Sequence, residues 1–383
     1  MLYLRVAVAG ALGVDICPTP GTRNPKDFSD VISPGKITQI TDSEINLGGP
    51  VANTGIAMKT FGLIPSLCGR IGRDEFGKLL YDKLHRTVLP PAIETLKISE
   101  EDSTAYSVIL TPDGLDRAIL QYPGANDNFV PEDIDWNHIK RCKLFHFGHP
   151  STMKKMYEND GANLAEVMKT AKSHGIVTSL DLCAIDPASD AAAADWNRVL
   201  DNVLPYVDFF LPSIGDLEGI LFPFGTIDEI ERAGTQNETG ASEAGASEFG
   251  VSDSSKSLID LARESAEKIA EKHETCILIK LGEYGMYYHN PGEEFFERIE
   301  KELSFHHRPL ATWEGRQGHR PAIPAEKVVS GLGAGDTSIA AYLACLLHSY
   351  DFDTTLRLAL TEGALCVSET SATGGLVPLD ELL

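Results

Sequence analysis

The stretch Ser330-Gly331-Leu332-Gly333-Ala334-Gly335-Asp336-Thr337 runs straight into an apolar segment that ends near Leu347. Its glycines stand at alternate positions, so the backbone can approach a ligand closely or take φ > 0 at little cost. Downstream, Ile339, Leu343, Leu346 and Leu347 recur at helical spacing, with Ala340, Ala341 and Ala344 between them, which predicts a helix. A glycine turn feeding a helix N-terminus presents unpaired N–H groups and the positive end of the helix dipole, which together suit an anion. Asp336 lies among those amides. Two readings of it stand: a cap or first-turn carboxylate, or a general base beside a phosphoryl group.

The chain has 383 residues and a formal net charge of -23, with a pI of about 4.8. That length suits one large α/β unit with appendages, or two domains. A duplex-binding protein needs a basic footprint, and no basic cluster is visible, so nucleic acid is not an expected partner. The seven cysteines are scattered and form no C-x-x-C, which indicates neither a zinc site nor a disulfide framework. No apolar run approaches the length of a membrane span. Leu2–Ala9 is too short for a secretory leader and reads as a strand, so a cytoplasmic location is expected.

Leu2–Ala9 is a continuous apolar run, as expected of a strand buried on both faces of a parallel sheet. Asp15 follows Gly10-Ala11-Leu12-Gly13-Val14, just beyond that strand, where open α/β sheets bind ligands; a turn-forming Asp is the alternative. Residues 16–49 are rich in Pro and read as loop and short strands. They close on Asn46-Leu47-Gly48-Gly49-Pro50-Val51-Ala52-Asn53, a hinge entering a helix with Pro in its first turn. Asn53 is then either an exposed helix position or an amide able to reach a ligand hydroxyl.

Pro65–Gly72 is expected to be a strand, and Gly72-Arg73-Asp74-Glu75-Phe76-Gly77 opens a helix through Leu84. Ala105–Leu110 and Ala118–Tyr122 form a hairpin, which Gly124-Ala125-Asn126 ends. Strands are expected at Leu144–Phe147, Ile176–Leu180 (with Asp181 at its end), Phe209–Leu211 and Cys276–Lys280. Helices are expected over Gly161–His174, Ala191–Leu204, Ile259–His273 and Leu356–Val367. This alternation implies a mainly parallel sheet covered on both faces. Residues 225–256 are expected to be an exposed, mobile insertion, because Gly234–Ser255 has little apolar content. Residues 290–325 read as a polar loop whose histidines, 306, 307 and 319, match no standard zinc spacing.

No G-x-x-x-x-G-K-[ST] sequence is present, and the late glycine turn lacks the final glycine of a dinucleotide fingerprint. Two signatures carry a different likeness. One is Asn46–Asn53 together with Gly72–Gly77; the other is Gly333-Ala334-Gly335-Asp336 opening a small-residue helix. In this order and at these distances they resemble the PfkB carbohydrate kinases, the ribokinase-like family. The resemblance covers nearly the whole chain apart from 225–256 and 290–325.

It implies a single α/β kinase domain over 1–383, a three-layer sandwich with a mainly parallel central sheet. A small β-sheet lid would be built within 16–49 and 99–125. It also implies transfer of the ATP γ-phosphoryl group to a sugar-like hydroxyl, with Mg2+ as cofactor. On the family pattern Asp336 is the base, and the amides of Gly333, Ala334 and Gly335 form the anion hole. Asp15, Asn53 and Asn126 fall on the substrate side, with Gly48-Gly49 as lid hinge. Lys280, Gly282 and Gly363 fall on the nucleotide side, and Ser213 and Asp216 in the metal and phosphate region. A homodimer through the lid is a further expectation, with a small sugar-like molecule as substrate.

The chain also departs from that pattern. Ser213-Ile214-Gly215-Asp216 stands where the family has Asn-x-x-Glu, and Lys280 replaces a usual Thr. Ser330-Gly331-Leu332 replaces Asp-Thr-Thr, which leaves a requirement for a monovalent cation open. Two alternatives remain at this stage: a nucleoside kinase of the same fold, and a non-catalytic relative that binds a sugar or nucleotide.

Overall fold

The alternation read from the chain becomes a layered α/β structure in the computed structural model, which describes residues 4–238 and 253–383 apart from 23, 89, 113 and 116. β1 (Arg5–Gly10) leads into β2 (Gly13–Pro20), α1 (Phe28–Val31), β3 (Ile40–Gly48) and α2 (Pro50–Thr60). β4 (Ile64–Cys68), β5 (Arg70–Gly72), α3 (Glu75–Thr87), β6 (Lys97–Ser99), β7 (Ala105–Leu110) and β8 (Ala118–Tyr122) follow. Then come α4 (Trp136–Ile139), β9 (Leu144–Gly148), α5 (Lys154–Ser173), β10 (Val177–Leu180), α6 (Trp196–Val203) and β11 (Phe209–Phe210). The chain continues through α7 (Thr226–Glu238), α8 (Asp253–Ala270), β12 (Cys276–Lys280), β13 (Met286–His289) and α9 (Glu293–Leu303). It ends with β14 (Gln317–Arg320), α10 (Ala334–Leu347) and α11 (Phe352–Cys366).

The main sheet has eight strands in the order β14-β13-β12-β11-β10-β9-β1-β4. Its pairs from β4 to β12 are parallel, and β13 and β14 close one edge antiparallel. β1 lies between β9 and β4, and all its residues after Arg5 are buried, because both neighbours and both faces are covered. Alternate residues serve opposite layers. Val6 and Val8 pack with α2, α9, α10 and α11, whereas Ala7 and Ala9 pack with α5, α6 and α8. α10 is buried all round from Asp336 to Leu347, which explains its nearly unbroken apolar sequence. Trp313 stacks edge-on against Tyr342 of α10 and Phe352 of α11, with ring centroids 5.2 and 5.1 Å away. Contacts of this kind add roughly 0.5–1.5 kcal/mol each beyond burial, and they hold α10 in place beneath the site.

A second sheet has the order β3-β2-β7-β8; β3, β7 and β8 lie inside 16–49 and 99–125, whereas β2 begins earlier, at Gly13. Only Ala11 and Leu12 separate β1 from β2, so the chain passes directly from one sheet to the other. That crossing carries Asp15 over the carboxyl ends of the main strands.

Four expectations need correction. Residues 290–325 are not simply a loop: they contain α9 and the edge strand β14. Phe295, Phe296, Ile299 and Leu303 form a buried helical stripe that the surrounding Glu and Lys residues obscure in the sequence. Within 225–256, Thr226–Glu238 is helical and α8 starts at Asp253; the remainder, 239–252, lies outside the described residues. Pro65–Gly72 splits into β4 and β5, which belong to different sheets. The segment 191–204 is likewise interrupted, with α6 starting only at Trp196 behind its Asp195 cap.

Candidate active site

Seven chain segments deliver polar side chains to one place, the carboxyl ends of the parallel strands. His149 follows β9, Asp181 follows β10, Ser213 and Asp216 follow β11, and Lys280 ends β12. Asn53 and Thr54 come from the first turns of α2, Asp336 from the first turn of α10, and Asp15 from the small sheet.

Asp336 is not the helix cap. Gly333 is the N-cap, in the left-handed region at φ 76°, where a Cβ would also overlap Ala372. The first amides of α10 therefore have no intrahelical acceptors, and they surround a buried carboxylate. Asn53 Nδ2 donates to Asp336 Oδ2 at 2.9 Å, and Thr54 Oγ1 donates more weakly to Oδ1 at 3.4 Å. Asn53 Oδ1 is buried with no hydrogen-bond partner, an acceptor open to a hydroxyl.

Asp15 is buried and pairs in register with Asn46 of β3 and Ser107 of β7. Burial pushes its carboxyl up to about 6, against a Ser107 hydrogen bond; the charge of Asp336 adds to the rise and His149 opposes it. Gly48 is obligatory for this packing, because any Cβ there would run into the Asp15 carboxylate. Gly49 caps α2 and Pro50 begins it, as the sequence predicts. Asn126 is tied to the crossing between the sheets, its Oδ1 accepting from Leu12 N at 3.1 Å.

On the other side, Lys280 Nζ donates to Asp181 Oδ1 and to the Leu211 carbonyl, both at 2.7 Å. A Cβ on Gly335 would stand 3.8 Å from that ammonium, so Lys280 lies under the amide end of α10. Burial raises Asp181, and Lys280 counters it. Ser213 and Asp216 cap each other: Ser213 N donates to Asp216 Oδ2 at 2.6 Å, and Asp216 N to Ser213 Oγ at 3.2 Å. Gly363 sits between α10 and α11, where a Cβ would be 2.5 Å from Ser338 Oγ; Gly282 has open space around it.

Besides Thr54, three residues of the site escaped the sequence reading. His149 Nε2 lies 3.9 Å from Asp336 Oδ1 and 4.0 Å from Asp181 Oδ2. Burial alone would lower its titration, but Cys183, Asp336 and Asp181 outweigh burial and push it up to about 10. These three side chains could be taken for a metal cage. The Lys280 ammonium already stands 2.7 Å from Asp181 Oδ1, which favours a charge-paired cluster over a second cation there. The third residue, Arg117, comes from the small sheet: its Nη1 would be 2.6 Å from a Cβ on Gly331, so Gly331 admits the guanidinium beside the glycine turn. Only Asp181 carried a signal, a carboxylate at a strand end; His149 and Arg117 are distant in sequence from Asp336 and Gly331, which they approach.

Residues 22–378 match the pfkB family of carbohydrate kinases, which is most of the chain. The chain belongs to this family. Among curated members, rice fructokinase-2 is 30% identical over 152 residues, covering 38% of this chain and 44% of the relative. Arabidopsis thaliana ribokinase is 22% identical over 308 residues, covering 79% of this chain and 62% of the relative. The chain thus spans about half the length of the fructokinases it matches, or less. Among solved structures, Arabidopsis ribokinase with ribose and ATP superposes at a TM-score of 0.65 with 18% identity, covering 100% of this chain and 98% of that one. A Burkholderia thailandensis nucleoside kinase with inosine gives 0.61 at 15% identity, covering 98% and 94%. These likenesses establish the ribokinase fold of this pfkB member: a mainly parallel central sheet with helices on both faces and a second small sheet.

Proposed function

We propose that this pfkB-family chain transfers the γ-phosphoryl group of ATP to a hydroxyl of a neutral, sugar-like acceptor. One observation carries the reading: a buried carboxylate, Asp336, stands among the free amides of α10 and faces Asp15 across the space between the two sheets. The acceptor's hydroxyls donate to Asp15 and to the unpartnered Asn53 Oδ1, which sets the reacting oxygen beside Asp336. Asp336 takes the hydroxyl proton as that oxygen bonds to the γ-phosphorus. The bond from phosphorus to the β–γ bridging oxygen breaks, and ADP leaves with the electron pair. The amides of Gly333, Ala334 and Gly335, with the Lys280 ammonium nearby, stabilise the charge on the transferring group.

Asp216 and Ser213 offer oxygen donors only, which suits a hard ion such as Mg2+. Mg2+ bound there supplies charge neutralisation for the phosphates. Gly282 and Gly363 remain assigned to the nucleotide side. The small sheet acts as a lid hinged at Gly48-Gly49, with Arg117 on its sheltering side. Ile119, Leu120 and Tyr122 on β8 and Ile40 and Ile45 on β3 are exposed, an apolar surface that supports a homodimer through the lid; light scattering checks it. Seven unpaired cysteines fit a reducing, cytoplasmic setting.

The deciding experiment follows ATP consumption against a panel of sugars and nucleosides, with Asp336→Asn as control. A sugar acceptor should be turned over, and the substitution should cost about 10²–10⁴ in rate. Turnover unchanged by Asp336→Asn would sink the assignment of the base, and turnover of nucleosides alone would reassign the acceptor.

A further inference from the structure

His149 is a member of the site that the sequence reading did not include. It follows β9 in the left-handed region, at φ 59° and ψ 43°, an uncommon setting for a residue other than glycine. The backbone is held there by Pro150 and by Thr152, whose N–H and Oγ1 both donate to the His149 carbonyl, at 3.2 and 3.0 Å. The imidazole is 23% exposed and lies between two carboxylates on different elements. Its Nε2 faces Oδ1 of Asp336, the oxygen that Asn53 does not hold. Among the described residues His149 is the only ion-pair partner of Asp336, since Lys280 is committed to Asp181.

The surroundings give that cation its sign. Around the imidazole stand Asp336 from α10, Asp181 and Cys183 after β10, Asp216 after β11 and Asp15 from β2. His146 of β9 and Lys280 of β12 complete the set, and buried His146 is pushed down to about 3, so it stays neutral. Four carboxylates therefore meet two cations. A cation at this distance favours the ionised form of a carboxylate, and it fixes which oxygen turns toward it.

We propose that His149 is a positioning residue for Asp336: standing between Asp336 and Asp181 as an imidazolium, it keeps Oδ1 of the base turned into the cleft. The role rests on the kinase reading above. It implies that activity needs a charged His149. Wild-type activity should fall as pH rises through about 10.

The test uses His149→Asn in the full chain, since asparagine tolerates the left-handed backbone. The expected result is a folded variant whose kcat/KM at neutral pH is lower than that of the wild type. Its alkaline fall near pH 10 should also be gone. A second arm needs no turnover: the His149 imidazole resonance, followed by NMR, should titrate well above the ordinary range. Asp336→Asn should bring it down. An alkaline limb left in place in His149→Asn would overturn the proposal, whatever the loss of rate. So would an imidazole that titrates near the usual 6.5 and ignores Asp336→Asn. A wild-type chain that turns over no acceptor overturns the kinase reading and the positioning role together, while the NMR arm still reports whether the charged pair exists.

Discussion

Asn53 Nδ2 donates to Asp336 Oδ2 across 2.9 Å, joining the first turns of α2 and α10 over a separation of 283 residues. The bond orients the carboxylate, and the other end of the same amide is left unpartnered for a ligand. Asn53→Ala removes a hydrogen bond to a charged group, worth about 1.5–3 kcal/mol, and should lower kcat/KM by roughly 10–10². Asn53→Asp places like charges in contact and should be worse than alanine. Steady-state kinetics on both variants check the order; alanine worse than aspartate would contradict it.

Asp15 carries a prediction about pH. Its carboxyl is pushed up to about 6, so it is ionised above that pH and accepts hydroxyl donors best there. KM for the acceptor should rise as pH falls through about 6, with kcat less affected. Asp15→Asn should have a higher KM that no longer changes over this interval. A KM profile shared by wild type and variant would show that another group is responsible.

Lys280 and Asp181 form a buried pair, and losing one partner strands the other. Lys280→Met should destabilise the fold by about 3–5 kcal/mol, and adding Asp181→Asn should recover part of that loss. KM for ATP should rise in the single variant as well, since the ammonium lies under the amide end of α10. Chemical denaturation of the two single variants and the double variant gives the coupling directly.

Glu362 predicts a stability change outside the site. It is wholly buried in α11, and neither carboxylate oxygen has a hydrogen-bond partner. Burial pushes it from 4.5 up to about 7, opposed only by the Val377 backbone. A raised carboxyl favours the fold below about 4.5, and that contribution is lost as pH rises through about 7. The loss should be on the order of 3 kcal/mol. Glu362→Gln stays neutral throughout, so its stability should fall less between pH 5 and 8 than that of the wild type. Parallel denaturation curves for the two proteins would refute this.

Much of the fold was legible because it rests on local pattern. β1 and β12 read as continuous apolar runs because strands covered on both faces have no polar side, and α10 reads the same way for the same reason. α9 failed that reading: its buried stripe is hidden among Glu, Arg and Lys, so averaged polarity outweighed periodicity. Thr226–Glu238 was misjudged by the same averaging, its short helix lying beside a stretch of Gly, Ala and Ser.

The sequence by itself determined the glycine turn, the helix it opens, and the presence of acidic and amide residues at strand and helix ends. These depend on neighbours a few positions apart, where backbone freedom and hydrophobic spacing act. Only the tertiary structure decided what Asp336 is: the third residue of its helix, capped by Gly333 and bonded to Asn53. It also decided that Asp336 faces His149, and that Lys280 is spent on Asp181 beneath the amides. Ion pairing and burial act through space at about 3–4 Å, and which side chains come that close depends on how the sheets and helices pack, not on their order in the chain.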